Sequence, residues 1–247
     1  MKKLVAYITA GFPSKSFSVD LALSLKEAGV DSLELGIPFS DPVADGPIIE
    51  QANLKALQNG FKIEHLFDIS KQIGKEIDTL WMGYFNSFYH RSMELFTDNA
   101  KKFGVSGFII PDLPHEEALA YTQMTKEKEL SLISFVAPTD SHDRIKQVVE
   151  HSSKFIYLVA YAGITGSGAS EDLSKTIISI RQSTSTPIYV GFGVDEKTAK
   201  EKVKGVDGVI VGSAFVKILL DEKLSDSQKI LKISNLARVI KESINEA

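Results

Sequence analysis

The chain has 247 residues, 28 basic against 32 acidic side chains for a formal net charge of −4, and no cysteine. Interspersed, nearly balanced charge excludes the basic face that a nucleic-acid backbone demands, and the lack of cysteine excludes disulfides, thiolate catalysis and cysteine-ligated metal while fitting a reducing cytoplasm. No stretch approaches the ~18 apolar residues of a membrane span, and the length suits a single α/β barrel, typically about 250 residues.

Leu4 to Thr9 reads as a strand running directly into the turn Gly11-Phe12-Pro13, so the charged start Met1-Lys2-Lys3 belongs to the fold rather than to a signal peptide. Ser16 to Ala28 sets Phe17, Leu21 and Leu25 four apart on one helical face, and Gly29 closes that helix. Ser32 to Ile37 alternates, with Leu33, Leu35 and Ile37 on one face and Glu34 and Gly36 on the other, which is the period of a second strand. Helices over Ile49 to Asn59 and Ile63 to Gly74 lead to a third strand, Thr79 to Tyr84. Met93 to Phe103 is helical up to Gly104, Gly107 to Ile110 is the fourth strand, and Pro114 opens a helix through Lys128. Leu130 to Val136 is the fifth strand, Asp143 to His151 a helix, Phe155 to Ala160 the sixth strand, and Asp172 to Gln182 a helix. Pro187 to Val190, a helix over Glu196 to Val203, and Gly208 to Val211 complete the alternation. The tail from Asp226 to Ile244 spaces Ile230, Ile233, Ala237, Ile240 and Ile244 by threes and fours, a helix with one buried face.

Eight strand–helix alternations predict one domain over residues 1–247, an α/β fold of the (β/α)8 TIM-barrel type. An open doubly wound sheet would carry a dinucleotide fingerprint after its first strand, and Thr9-Ala10-Gly11-Phe12-Pro13 has none.

In a closed barrel, alternate strand residues point inward, so Glu34, an isolated carboxylate among apolar residues, should face the interior near the strand's C-terminal end. The turn-rich segment Pro38-Phe39-Ser40-Asp41-Pro42-Val43-Ala44-Asp45-Gly46-Pro47 follows as a loop over that end, placing Asp45 at the same mouth. A paired structural acid is the competing reading of Glu34, and a turn-former that of Asp45 and of Asp41.

Glycine turns follow three late strands: Gly163-Ile164-Thr165-Gly166, Gly191-Phe192-Gly193 and Gly212-Ser213. The last two stand where barrels of this class hold a phosphate on backbone N–H groups, with Ser213 opening a short helix and adding a hydroxyl donor. A phosphate beside two carboxylates suggests acid–base chemistry on a small phosphorylated substrate. No lysine occupies an inward C-terminal strand position for a Schiff base, since Lys3 and Lys154 lie at strand beginnings. His65, His90, His115, His142 and His151 show no metal-ligand spacing, so no metal is expected. The electron sink must then belong to the substrate, whose ring Tyr7, Tyr84, Tyr157 and Phe192 are placed to line, each also readable as barrel core.

The sequence resembles the tryptophan synthase alpha subunit family over almost its whole length, through Tyr7 to Pro13, Leu33 to Pro47, Pro111-Asp112-Leu113-Pro114, Gly163 to Gly166, Gly191 to Val194 and Gly212 to Ala214. The resemblance implies retro-aldol cleavage of indole-3-glycerol phosphate to indole and glyceraldehyde 3-phosphate. It implies Glu34 as the acid/base, Asp45 as partner of the indole N–H, and Tyr7, Tyr84, Tyr157, Thr165 and Phe192 as substrate contacts. Phosphate binding falls to Gly166, Gly193, Gly212 and Ser213. It further implies a beta subunit carrying pyridoxal phosphate, with no cofactor on this chain, an α2β2 heterotetramer, and a contact surface at Pro38, Phe39, Asp41, Asn86 and Pro114. Two departures stand out: the sequence starts almost at its first strand, where most relatives carry an N-terminal capping helix, and the glycine-rich lid, Ala160 to Ser170, reads Ala160-Tyr161-Ala162-Gly163 where many have a serine-arginine pair. The alternatives are a silent phosphate-binding barrel that only activates a partner, and a sugar-phosphate isomerase or epimerase barrel.

Overall fold

The alternation read along each segment resolves into two apolar layers. The computed structural model describes residues 1–160 and 173–247. Among these, β1 (Lys3–Thr9), β2 (Ser32–Gly36), β3 (Asp78–Met82), β4 (Gly107–Ile109), β5 (Ser131–Leu132), β6 (Ser134–Val136), β7 (Ile156–Val159), β8 (Ile188–Gly191) and β9 (Gly208–Val211) form one parallel sheet. Its order is β5-β4-β3-β2-β1-β9-β8-β7-β6. The helices are α1 (Lys15–Glu27), α2 (Pro47–Gln58), α3 (Ile63–Ile73), α4 (Phe85–Tyr89), α5 (Met93–Phe103), α6 (His115–Glu127), α7 (His142–Val149), α8 (Ser174–Ser183), α9 (Ala199–Lys202), α10 (Ser213–Leu219) and α11 (Asp226–Asn245).

Residues of one strand parity, among them Val5, Leu80, Ile109, Ile133, Phe155, Tyr157 and Ile210, fill the barrel. The other parity, including Leu33, Leu35, Trp81, Phe108, Leu158 and Val209, packs against the surrounding helices. This is the division a closed parallel sheet imposes. In the outer layer the Trp81 indole N–H donates to Ser70 Oγ at 2.9 Å, so the largest buried ring leaves no polar atom unpaired. Helix ends follow local chemistry: Ser14 Oγ accepts from the Phe17 amide, Ser225 and Gln228 form a reciprocal box, and Gly104 closes α5 at a φ of 78°.

Three differences from the sequence-based expectation have physical causes. The fifth strand is two short ones: Ser131 and Leu132 pair with β4, whereas Ser134 to Val136 pair with β7. The Ile133 amide still donates to Phe108 O at 3.0 Å, so one stretch of chain switches partners from one side to the other and the two ends of the sheet meet there. The helix expected over Glu196 to Val203 shrinks to one turn, because the Asp195 carboxylate accepts from the Lys197 and Thr198 amides and holds 195–198 as a capped loop. α4 was not foreseen; Asp112 Oδ1, from the loop after β4, accepts from the Phe85 amide at 2.8 Å and satisfies its first turn from outside.

Gly107 marks the tightest approach in the sheet: a Cβ there would fall 2.1 Å from the Ser131 carbonyl oxygen. The atoms it would meet are all Ser131 backbone, which leaves no flexible group to yield, so Gly107→Ala should destabilise the fold by about 3 kcal/mol. Urea unfolding of the two proteins measures this, and an unchanged midpoint would show that the β4–β5 contact relaxes freely.

Candidate active site

β2 positions the acid. Glu34 is opposite Tyr7 of β1 and Leu80 of β3, on the inward parity, one residue from the strand end. It is 3% exposed, and its Oε1 has no hydrogen-bond partner among the described residues. Burial first, and the Asp45 charge second, push its pKa from 4.5 up to about 8. An acid in this condition holds a proton at neutral pH and has a free oxygen aimed at the mouth.

The loop between β2 and α2 brings up the second carboxyl. The Ala44 amide donates to the Tyr84 hydroxyl at 3.0 Å, and the Asp45 amide to Pro42 O at 2.9 Å, which folds the loop back over the barrel. Asp45 is half-buried and accepts from Asn53 Nδ2 at 3.4 Å and from the Tyr84 hydroxyl. Burial raises its pKa to about 6, against the lowering pull of those two donors. The two carboxyls therefore sit in different environments and titrate apart, the arrangement that separates an acid from a standing charge. Burial, then the Asp45 charge, raises the Tyr84 hydroxyl well above its ordinary range and keeps it a donor. Tyr84 also stacks on Phe39, with ring centroids 5.3 Å apart.

Two glycines shape the aromatic walls. A Cβ on Gly36 would fall 2.3 Å from the Tyr7 hydroxyl, and one on Gly191 would fall 2.4 Å from that of Tyr157. Each ring thus lies over a bare strand end, an approach that any side chain would block. Tyr157 stacks on Phe135 at 4.8 Å and meets the edge of Phe192 at 6.0 Å. Burial and the charges of Glu34 and Asp45 raise its hydroxyl pKa, as expected of a group sharing their pocket.

The glycine turns stand beside this pocket. Gly193 and Phe192 have φ values of 63° and 71°. Gly212 precedes α10, and a Cβ on it would lie 3.5 Å from Tyr7 Cβ, so this corner abuts the tyrosine wall. Ser213 is exposed at the first turn of α10. Thr165, Gly166 and most of the lid from Ala160 to Ser170 lie outside the described residues. Of the expected partner surface, Asp41, Asn86 and Pro114 are exposed and Phe39 is half-buried, but Pro38 is buried and offers little to a partner. The rim also exposes Val43, Leu54, Tyr89 and Leu119, and Phe39, Pro47 and Leu54 line a cleft of about 240 Å³.

Asn53 escaped the sequence reading. It lies on the buried face of α2 between Ala52 and Ala56, is 1% exposed and leaves Oδ1 unpaired among the described residues. A lone amide on an otherwise apolar helical face was the available signal. A larger cavity, about 490 Å³, lies between α6 and α7 on the outer wall; Leu119 lines it, but neither carboxyl, none of the pocket aromatics and none of the glycine turns does. Among the described residues no three His, Asp or Glu side chains converge as a metal site, and no helix is long and apolar enough to cross a membrane.

Comparison with known proteins identifies the family. The family model for the tryptophan synthase alpha chain matches residues 1–245. The tryptophan synthase alpha chain of Wolinella succinogenes is 58% identical over 246 residues, covering 99% of this chain and 96% of that one. That of Microcystis aeruginosa is 41% identical, covering 98% and 93%. The solved tryptophan synthase subunit alpha of Campylobacter jejuni superposes with a TM-score of 0.85 at 34% identity, over 96% of this chain and 95% of that one. A chain from the tryptophan synthase α2β2 complex of Pyrococcus furiosus gives 0.84 at 30%, over 98% and 100%. The chain belongs to the tryptophan synthase alpha chain family.

Proposed function

We propose that the chain cleaves indole-3-glycerol phosphate to indole and glyceraldehyde 3-phosphate as the alpha subunit of a tryptophan synthase. The observation that carries this reading is the buried Glu34 carboxyl, its Oε1 unpaired among the described residues, sharing an aromatic pocket with a second, differently tuned carboxyl whose charge acts on it. Family membership supports the reaction class, and the burial and hydrogen bonding of the two carboxyls support the roles given to them here.

Protonated Glu34 donates its proton to indole C3, converting the ring to an indoleninium whose C=N⁺ is the electron sink. The Glu34 carboxylate then takes the proton of the side-chain hydroxyl. The carbon–carbon bond breaks toward C3 and the aldehyde forms; the proton that Glu34 gave stays on C3 of indole, and the hydroxyl proton leaves Glu34 protonated for the next turnover. Asp45, charged above about 6, faces the ring nitrogen and offsets the positive charge that develops there. Tyr84 and Asn53 hold Asp45 in place. Tyr7, Tyr157 and Phe192 border the ring, with Thr165 as a further substrate contact, and the Gly193, Gly212 and Ser213 corner, with Gly166, takes the phosphate. A beta subunit bearing pyridoxal phosphate consumes the indole. It docks over the mouth, at the apolar rim around Phe39, Asp41, Asn86 and Pro114. A biosynthetic step of this kind, in a chain without cysteine, fits the cytoplasm.

Glu34→Gln should bind substrate and release no indole, because an amide transfers no proton; normal turnover would remove the mechanism. Asp45→Asn should lower kcat by about 100-fold or more, the scale of losing one preorganised electrostatic contact. A rate within twofold of wild type would reduce Asp45 to a turn residue. In the wild type, kcat/KM should rise as Asp45 ionises near 6 and fall as Glu34 loses its proton near 8, and a flat profile from pH 5 to 9 would contradict both roles. The folded chain holds the Glu34 proton more tightly than the unfolded chain, whose carboxyl titrates near 4.5, so its contribution to stability is present below about 4.5 and is lost as pH rises through about 8. Glu34→Gln should therefore raise the thermal midpoint more at pH 9 than at pH 4; equal shifts would show that Glu34 is not held neutral.

A further inference from the structure

The turn after β8 carries a cation for which the mechanism above has no use. Lys202 ends α9, and its Nζ donates to the Phe192 carbonyl at 2.8 Å. A Cβ placed on Gly193 would meet the same ammonium at 3.2 Å. The charge therefore sits against the Gly191-Phe192-Gly193 turn itself, although Lys202 is nine residues further along the chain than Gly193.

Its surroundings set it apart from the neighbouring lysines. Lys200 and Lys204 are exposed and pair with Glu246 and Glu201. Lys202 is half-buried and pairs with no carboxylate among the described residues. The nearest acid that acts on it, Asp195, is engaged by Thr198 Oγ1 and by the amides of Lys197 and Thr198, each at 2.9 Å. An ammonium has three donors, and a single neutral carbonyl leaves two of them to be met. Burial lowers its pKa, against the raising pull of the Asp195 charge. The turn is also built to hold its shape: Thr198 Oγ1 donates to Gly193 O at 2.9 Å, and Lys202 fixes the carbonyl of Phe192, a non-glycine residue at a φ of 71°.

We propose that Lys202 is a phosphate-binding residue, its ammonium supplying the positive charge for a phosphomonoester dianion seated on the Gly193 turn. The glycine corner offers backbone donors without net charge, and Lys202 supplies the charge from behind the turn. This rests on the substrate assignment above and deepens it. A compact ammonium beside a rigid turn selects for the dianionic end of the substrate, so it should act on binding rather than on bond breaking.

The test is calorimetric titration of inorganic phosphate into the full chain and its Lys202→Met, Lys202→Gln and Lys202→Arg variants, each checked for native circular dichroism, alongside the cleavage assay. Glutamine still donates to the Phe192 carbonyl and lacks the charge; arginine keeps both. Met and Gln should each weaken phosphate binding by about tenfold and raise KM for indole-3-glycerol phosphate similarly, with kcat within about twofold, while Arg stays within about threefold of wild type. Native phosphate affinity in the Gln variant would assign Lys202 to bracing the turn, and native affinity in Met, or no phosphate binding by the wild type, would overturn the proposal. Should the phosphate pattern hold while the wild type releases no indole, the site stands and the reaction assignment falls.

Discussion

Burying a carboxyl inside an apolar barrel mouth is the constraint on which the rest of this structure depends. As a charge, Glu34 would cost several kcal/mol in that setting; kept neutral up to about 8, it becomes a proton donor. Local preference does not aim it there. Leu33 and Leu35, fully buried on the opposite face of β2, each contribute on the order of 2 kcal/mol by their burial among the helices. A one-residue slip of β2 would turn both leucines into the mouth and Glu34 toward the helices, so the apolar layer outside the barrel fixes the acid inside it.

The aromatic pocket follows the same economy of contacts. Tyr7 and Tyr157 approach strand ends stripped of side chains at Gly36 and Gly191, and Gly212 abuts the Tyr7 side. The glycines that read as turns in the sequence therefore have a second role, as the absent volume into which rings fit. Under the proposed function a flat substrate would be held between those rings by shape, which would leave the two carboxyls to act on charge. Their separation in titration comes from what surrounds each: nothing donates to Glu34 Oε1 among the described residues, whereas two donors meet Asp45.

Features set within one segment were legible in the sequence. The alternation around Glu34, the glycine turns after β8 and β9, the order of alternating strands and helices and the spacing of Ile233, Ala237, Ile240 and Ile244 each rest on a pattern a single stretch carries. Features that need two distant segments were not. The fifth strand divides because its halves have different neighbours, which an apolar run does not record. α4 depends on Asp112, 27 positions away from the amide it satisfies. Asn53 reads as one more polar residue of α2 until the loop folds Asp45 onto it, and Lys202 as one more surface lysine until its neighbours are seen to pair with acids. Pro38 follows the same logic in reverse: its loop composition suggests exposure, and the loop's return over the barrel buries it.

The division at Ile133 has a mechanical consequence. In the order β5-β4-β3-β2-β1-β9-β8-β7-β6, β1 lies at the centre and the division at Ile133 joins the two edges. β5 and β6 each have a ladder on one side only and are consecutive parts of one covalent stretch, so the closure there rests on the chain itself and on the short ladders to β4 and β7. The Tyr7–Glu34 pairing belongs to the middle of the ribbon, between strands braced on both sides. The barrel thus closes at a point set away from the strands that hold the acid, so that the change of partners at Ile133 falls where no proton is being positioned.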